Sequence, residues 1–146
     1  MCTSIYNTVN TETGHERTGD HVLISIDVRD RRPIYEQIVE KYETLIAGGV
    51  MAPGEQLPSV RQMASELSIN PNTIQKAYAI LEMKGFTYTV KGRGSFVSGD
   101  QAVAERKRGI WREKFISLVR EGKELGMTDS AVLAAVREVY GGGGND

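Results

Sequence analysis

Five polar side chains, Asn70, Asn72, Thr73, Gln75 and Lys76, crowd into one short stretch, and a second group, Lys91, Gly92, Arg93 and Gly94, follows downstream. Their types suit recognition and not bond-making. Asparagine and glutamine can pair bidentately with adenine, and lysine can meet guanine or phosphate. Two glycines beside two cations let backbone and charge approach a sugar-phosphate chain together.

The elements that must position these groups can be read from their neighbours. Ser59 can accept the first orphan N–H groups of a helix and Gln62 can bond back, a capping box. Behind it Val60, Met63, Ala64 and Leu67 form one apolar stripe, which predicts a short helix ending near Leu67. Asn70 then offers a second N-cap, and Pro71 suits the first helical position. In that second helix Ile74, Ala77, Tyr78 and Leu81 fall on one side, so Asn72, Lys76 and Ala79 point away, with Thr73 and Gln75 flanking. Its outward face is polar and free of acids.

An ordinary solvated helix would look the same, and the helix pair alone leaves the two readings equal. The sequel decides between them. Gly85 can end the second helix, FTYTV reads as a strand, KGRG as a basic turn and SFV as the returning strand. Taken alone, that hairpin would be a plain glycine-rich turn with solvated charges; placed after the helix pair, it completes the outline of a winged helix-turn-helix. The expected fold class is α+β, mainly helical, with this domain followed by a C-terminal helical hairpin used for dimerisation.

Charge follows the same division. Residues 59 to 97 hold five lysines or arginines against two glutamates, whereas residues 1 to 58 hold five basic against nine acidic residues. The formal net charge of −1 thus conceals a modest basic element suited to phosphate attraction.

These motifs resemble the GntR-type bacterial transcription regulators. That family's DNA-binding domain typically runs P-I-Y-x-Q-I, then G-x-x-L-P-S-x-R, then a helix and a G-R-G-x-F wing. Here PIYEQI stands at 33 to 38, PGEQLPSVRQMA at 53 to 64, NTIQKAYAILEMKGF at 72 to 86 and KGRGSFV at 91 to 97. The resemblance implies that Arg61 contacts DNA, that Asn70, Asn72, Thr73, Gln75 and Lys76 occupy recognition-helix positions, and that Gly92, Arg93 and Gly94 form the wing. Many members of the family carry arginine where this chain has Pro71, so a guanine reader is missing. Structural roles compete at two positions: Thr73 could back-bond within its helix, and Arg61 could pair with Glu66.

Outside that core, Ile34, Ile38, Tyr42, Leu45 and Ile46 share a helical stripe stopped by Gly48 and Gly49, the expected scaffold helix. Before it, VLISI reads as a short strand against the wing or as an extended lead-in. The first twenty residues, rich in Thr, Asn, Gly and Glu, look too polar for a core and are expected to be a mobile extension. The resulting division is an extension over 1–20, the winged domain over 21–99, the hairpin over 100–140 and a flexible tail over 141–146.

In the C-terminal part Trp111, Phe115, Leu118, Gly122 and Leu125 repeat at four- and three-residue steps, a coiled-coil-like seam ended by Gly126. Thr128 can cap a further helix bearing Val132, Leu133, Val136, Val139 and Tyr140. Two such helices cannot bury both stripes on each other, so a second copy is expected on them, with Trp111, Phe115, Leu118, Leu125, Leu133 and Val136 at the interface. A hairpin folded back on the winged domain is the less favoured arrangement. The layout resembles the YtrA-type subfamily, whose C-terminal part is about two helices.

The expected partners are therefore double-stranded DNA, at an inverted-repeat operator with half-sites roughly 34 Å apart, and a second copy of the chain. The resemblance implies repression, and any small-molecule effector has no residue here to identify it. A winged-helix module that binds protein instead of an operator is the alternative, and the acid-free helix face argues against it. No nucleophile and base, carboxylate pair or metal cluster is visible, so no catalytic site, metal or cofactor is expected. Cys2 is the only cysteine, and His15 and His21 read as surface histidines. Relatives with a pyridoxal-phosphate domain are hundreds of residues longer. With no signal-like start and no apolar run of ~20 residues, no membrane association is expected and a cytoplasmic location is.

Overall fold

The computed structural model describes residues 9–10, 15–18, 21–22 and 24–141. Three short strands come first, β1 (Val9–Asn10), β2 (His15–Thr18) and β3 (His21–Val22), paired antiparallel in that order. Most of the expected extension, including Cys2, lies outside the described residues. Of VLISI, Val22 pairs with Arg17 and not with the wing, and Ile24 continues as lead-in whose side chain is buried in the core.

Helix α1 spans Ile34–Ala47. Ile38, Tyr42 and Leu45 are fully buried along its predicted stripe, and Val39 joins them, whereas Ile34 at the first turn is exposed. A stripe read at fixed angular steps overreaches at this helix start, where Tyr35 and not Ile34 packs against the core. Gln37 of the PIYEQI motif is buried and does structural work: its Oε1 accepts the Asp27 N–H at 3.1 Å, and its Nε2 donates to the carbonyls of Asp27 and Arg32 at 3.3 and 3.4 Å. The lead-in loop is thereby tied down on α1. Arg32 bonds both Asp30 and Glu40, bracing the same helix start.

Helices α2 (Val60–Leu67) and α3 (Pro71–Met83) form the expected pair. Ser59 Oγ accepts the Gln62 N–H at 3.1 Å, but the Gln62 amide turns forward to Glu66 Oε1 at 3.1 Å, so only half of the capping box forms. Asn70 Oδ1 accepts the Asn72 N–H at 2.9 Å and caps α3. Between the helices Ser68 takes φ 54°, the one non-glycine residue in the left-handed region among those described. Ile74, Ala77, Tyr78 and Leu81 are buried on the inward face of α3, against α1 and α2. The Tyr78 hydroxyl donates to the Pro58 carbonyl at 2.8 Å, and its ring meets Tyr42 edge-on at 6.0 Å.

After Gly85, β4 (Thr87–Val90) and β5 (Gly94–Val97) pair antiparallel, Thr87 opposite Val97 and Val90 opposite Gly94. The segment before α2 adds a third line of backbone bonds to this hairpin. Gly54 N donates to Val97 O, Val97 N to Glu55 O and Leu57 N to Ser95 O, each at 2.8 Å.

Helix α4 spans Gln101–Glu124 and α5 Asp129–Gly141. The chain divides into two compact units between Lys107 and Arg108. In the first, Val103 of α4 enters the core, and Glu43, itself buried, takes Lys84 Nζ at 2.5 Å and Lys107 Nζ at 2.8 Å. Burial pushes the Glu43 carboxyl up, but the ammonium groups of Lys107 and Lys84 outweigh it and hold it below the ordinary range. In the second unit, Gly126 at φ 80° turns the chain, Met127 N donates to Gly122 O at 2.9 Å, and Thr128 Oγ1 caps α5 through the Ala131 N–H at 3.2 Å. The tail beyond Gly141 lies outside the described residues. Among the described residues no helix is long and apolar enough to cross a membrane.

Candidate nucleic-acid interface

The buried stripe of α3 fixes what its other face presents. Asn72, Gln75 and Lys76 are exposed, and Thr73 is half-buried beside them. Asn70 is exposed too, but its side-chain oxygen is committed to the cap, which leaves its amide nitrogen as the available donor. The Thr73 hydroxyl makes no back-bond among the described residues. Arg61 lies exposed on α2 and makes no ion pair among the described residues, and Glu66 Oε1 accepts from Gln62 Nε2 at 3.1 Å.

The hairpin brings Lys91, Gly92, Arg93 and Gly94 together at one tip, all exposed. The tip is a tight turn closed by the Arg93 N–H on the Val90 carbonyl at 3.0 Å, with Gly92 at φ 78° and Gly94 at φ 119°. Both glycines occupy backbone that L side chains rarely adopt, so the turn depends on them. Since α3 runs through Gly85 directly into β4, the polar helix face and the basic tip belong to one continuous segment of one unit.

Two side-chain contacts at this surface have no local signal in the sequence, although Gln56 and Tyr35 fall within the PGEQLPSVRQMA and PIYEQI motifs. Gln56 reaches across to the wing, its Nε2 donating to the Arg93 carbonyl at 2.7 Å. Tyr35 of α1 offers its ring to Lys76, whose Nζ sits 3.7 Å from the centroid. Both act over long sequence separations through side chains that look like ordinary surface positions.

In the second unit, the rings of Trp111 and Phe115 stack at 5.4 Å, while Leu118, Leu125 and Leu133 are exposed. Phe115, Val119, Met127, Val132, Leu133 and Val136 line an apolar groove of about 530 Å³, with Lys123 and Asp129 at its edge. The structure thus gathers Phe115, Leu133 and Val136 at one groove and leaves Trp111, Leu118 and Leu125 outside its lining. Among the described residues no cluster of histidine, cysteine, aspartate or glutamate could hold a metal ion. The side chains of His15 and His21 are outside the described set.

A model of the bacterial regulatory proteins of the gntR family matches residues 34–97, the span from α1 to the end of the wing. The transcriptional repressor YtrA of Bacillus subtilis is 37% identical over 130 residues, covering 85% of this chain and all of the relative. The chain belongs to the gntR family. Among solved structures, a GntR-family transcriptional regulator from Listeria monocytogenes is similar with a TM-score of 0.66 and 36% identity, over 77% of this chain and 98% of that one. YtrA from Sulfolobus acidocaldarius, a GntR-family transcription factor, is similar with a TM-score of 0.51 and 34% identity, over 69% and 97%. As a gntR-family member of the YtrA type, the chain is a DNA-binding transcription regulator and not an enzyme. Its fold is the winged helix-turn-helix followed by helices, mainly helical α+β.

Proposed function

We propose that this gntR-family regulator acts as a homodimeric repressor at an inverted-repeat operator. The observation that carries the reading is the exposure of Asn72, Gln75 and Lys76 on one face of a helix whose opposite face is sealed in the core, next to a basic wing. An α-helix fits the major groove, where amide side chains discriminate bases, and glycine-tipped cations suit the adjoining backbone or minor groove. The similarity to the transcriptional repressor YtrA of Bacillus subtilis supports the direction of regulation.

Dimerisation is favoured by the surface of α4 and α5. Trp111 is 60%, Leu118 64% and Leu125 75% exposed in the single chain, more large apolar surface than two solvated helices normally carry. A two-fold pair built there would present two α3 helices to the half-sites of a palindrome.

Selection of bound duplexes from a random-sequence pool, followed by footprinting, tests this. A palindromic consensus with half-sites about one turn apart is expected, and Gln75→Ala should relax preference at one base position by roughly 1–3 kcal/mol. Recovery of no consensus would favour a protein-binding winged helix instead.

A further inference from the structure

Lys76 is the sole cation on α3, and its ammonium lies 3.7 Å from the centroid of the Tyr35 ring. Tyr35 sits in the first turn of α1, half-buried against the core, with its hydroxyl donating to Glu36 Oε1 at 3.1 Å. It is the packing of the ring against the core, and not its hydroxyl, that seats it, so the lysine is held by the ring. Attraction of an ammonium to an aromatic face at an exposed site favours the held rotamer by roughly two- to fivefold. A free lysine would lose that rotamer freedom on binding, so a held one binds with less loss.

The direction of the hold matters as much as its strength. Lys76 leans from α3 across to α1, toward the flank of the helix. With a helix in the major groove, base edges lie beneath its outermost line and the sugar-phosphate walls lie at its flanks. The ring occupies one side of the ammonium, leaving N–H donors on the other.

We propose that Tyr35 is a positioning residue that holds Lys76 at the flank of α3, where it meets a backbone phosphate and sets affinity and register, leaving sequence choice to Asn72 and Gln75. This assignment rests on the reading of α3 as the groove helix.

The test uses the full chain, a pool of random-sequence duplexes, and anisotropy over a range of salt, with Lys76→Met, Tyr35→Phe, Tyr35→Leu and the Tyr35→Leu/Lys76→Met pair. Lys76→Met should lower the log–log salt slope by about 0.9. Tyr35→Leu should weaken binding roughly two- to fivefold, Tyr35→Phe should restore it, and Tyr35→Leu should have no effect in the Lys76→Met background. Upfield ring-current shifts of the Lys76 side-chain protons should vanish in Tyr35→Leu while persisting in Tyr35→Phe. Equal losses from Tyr35→Leu with and without Lys76 would make Tyr35 merely structural and overturn the assignment. So would a Lys76→Met variant that keeps the salt slope and relaxes one base position. Wild-type protein that shows no salt-dependent binding would sink the groove reading itself, and the assignment with it, even if the ring-current shifts persist.

Discussion

Gln56 Nε2 donates to the main-chain carbonyl of Arg93 at 2.7 Å, joining the loop before α2 to the tip of the wing across 37 positions of sequence. The same amide would lie 2.8 Å from a Cβ at Gly94, whose φ is 119°. The close approach and the backbone conformation thus make one requirement at one residue.

Gly94→Ala should therefore cost stability and wing geometry together. A side chain at that φ carries strain of about 1–3 kcal/mol, and the amide of Gln56 must swing aside. Denaturant unfolding should show the loss, and DNA affinity should fall further than in Gln56→Ala, which removes the tie without the strain. Equal stability of Gly94→Ala and wild type would show that the wing accommodates a side chain there.

The Glu43 carboxylate between Lys84 and Lys107 sets an acid limit on the fold. Its folded pKa is held down, so its contribution to stability is fully present above the unfolded carboxylate value and is lost as pH falls through the folded one. Wild-type stability should decline as acid is added below roughly pH 4.3, and Glu43→Gln should flatten part of that decline while costing on the order of 1–3 kcal/mol at neutral pH. Parallel pH profiles for the two proteins would remove Glu43 as the cause.

The edge-on tyrosine pair should respond unequally to loss of its hydroxyls. Tyr78 donates to the buried Pro58 carbonyl, whereas the buried Tyr42 hydroxyl completes no hydrogen bond among the described residues. Burial first, and Tyr78 next, push the Tyr42 hydroxyl well above the ordinary tyrosine value. Tyr78→Phe should cost about 1–2 kcal/mol, and Tyr42→Phe should be neutral or stabilising by up to about 1 kcal/mol. Thermal melts of the two variants decide it, and a destabilised Tyr42→Phe would reveal a partner for that hydroxyl.

What could be read from residues alone follows the range of the forces involved. Ser59, Asn70 and Thr128 cap helices through bonds two or three residues away, and the burial of Ile74, Ala77, Tyr78 and Leu81 repeats at helical spacing, so α2, α3 and the start of α5 are visible as local patterns. The two ion pairs of Glu43 span 41 and 64 positions, and the Gln56 tie spans 37. No local pattern encodes such pairs. Even within one turn, the Gln62 side chain could accept from the Ser59 N–H or donate to Glu66, and it donates to Glu66 Oε1. At the interface, the polar face of α3 and the glycine turn were legible by type, but the sideways hold of Tyr35 on Lys76 depends on how α1 packs against α3.

The exposed leucines of the second unit offer the sharpest test of assembly. Leu118 lies on α4 outside the lining of the apolar groove and is 64% exposed, so a charge placed there disturbs little within one chain. If a second copy covers it, burying that charge unpaired would cost several kcal/mol and split the pair. Leu118→Glu should then sediment as a monomer with near-wild-type helix content. Binding to a palindromic duplex should weaken toward that of a single half-site, since linking two recognition helices multiplies affinity only when both engage at once. A Leu118→Glu protein that remains a dimer and keeps full palindrome affinity would move the interface to another face of α4 and α5.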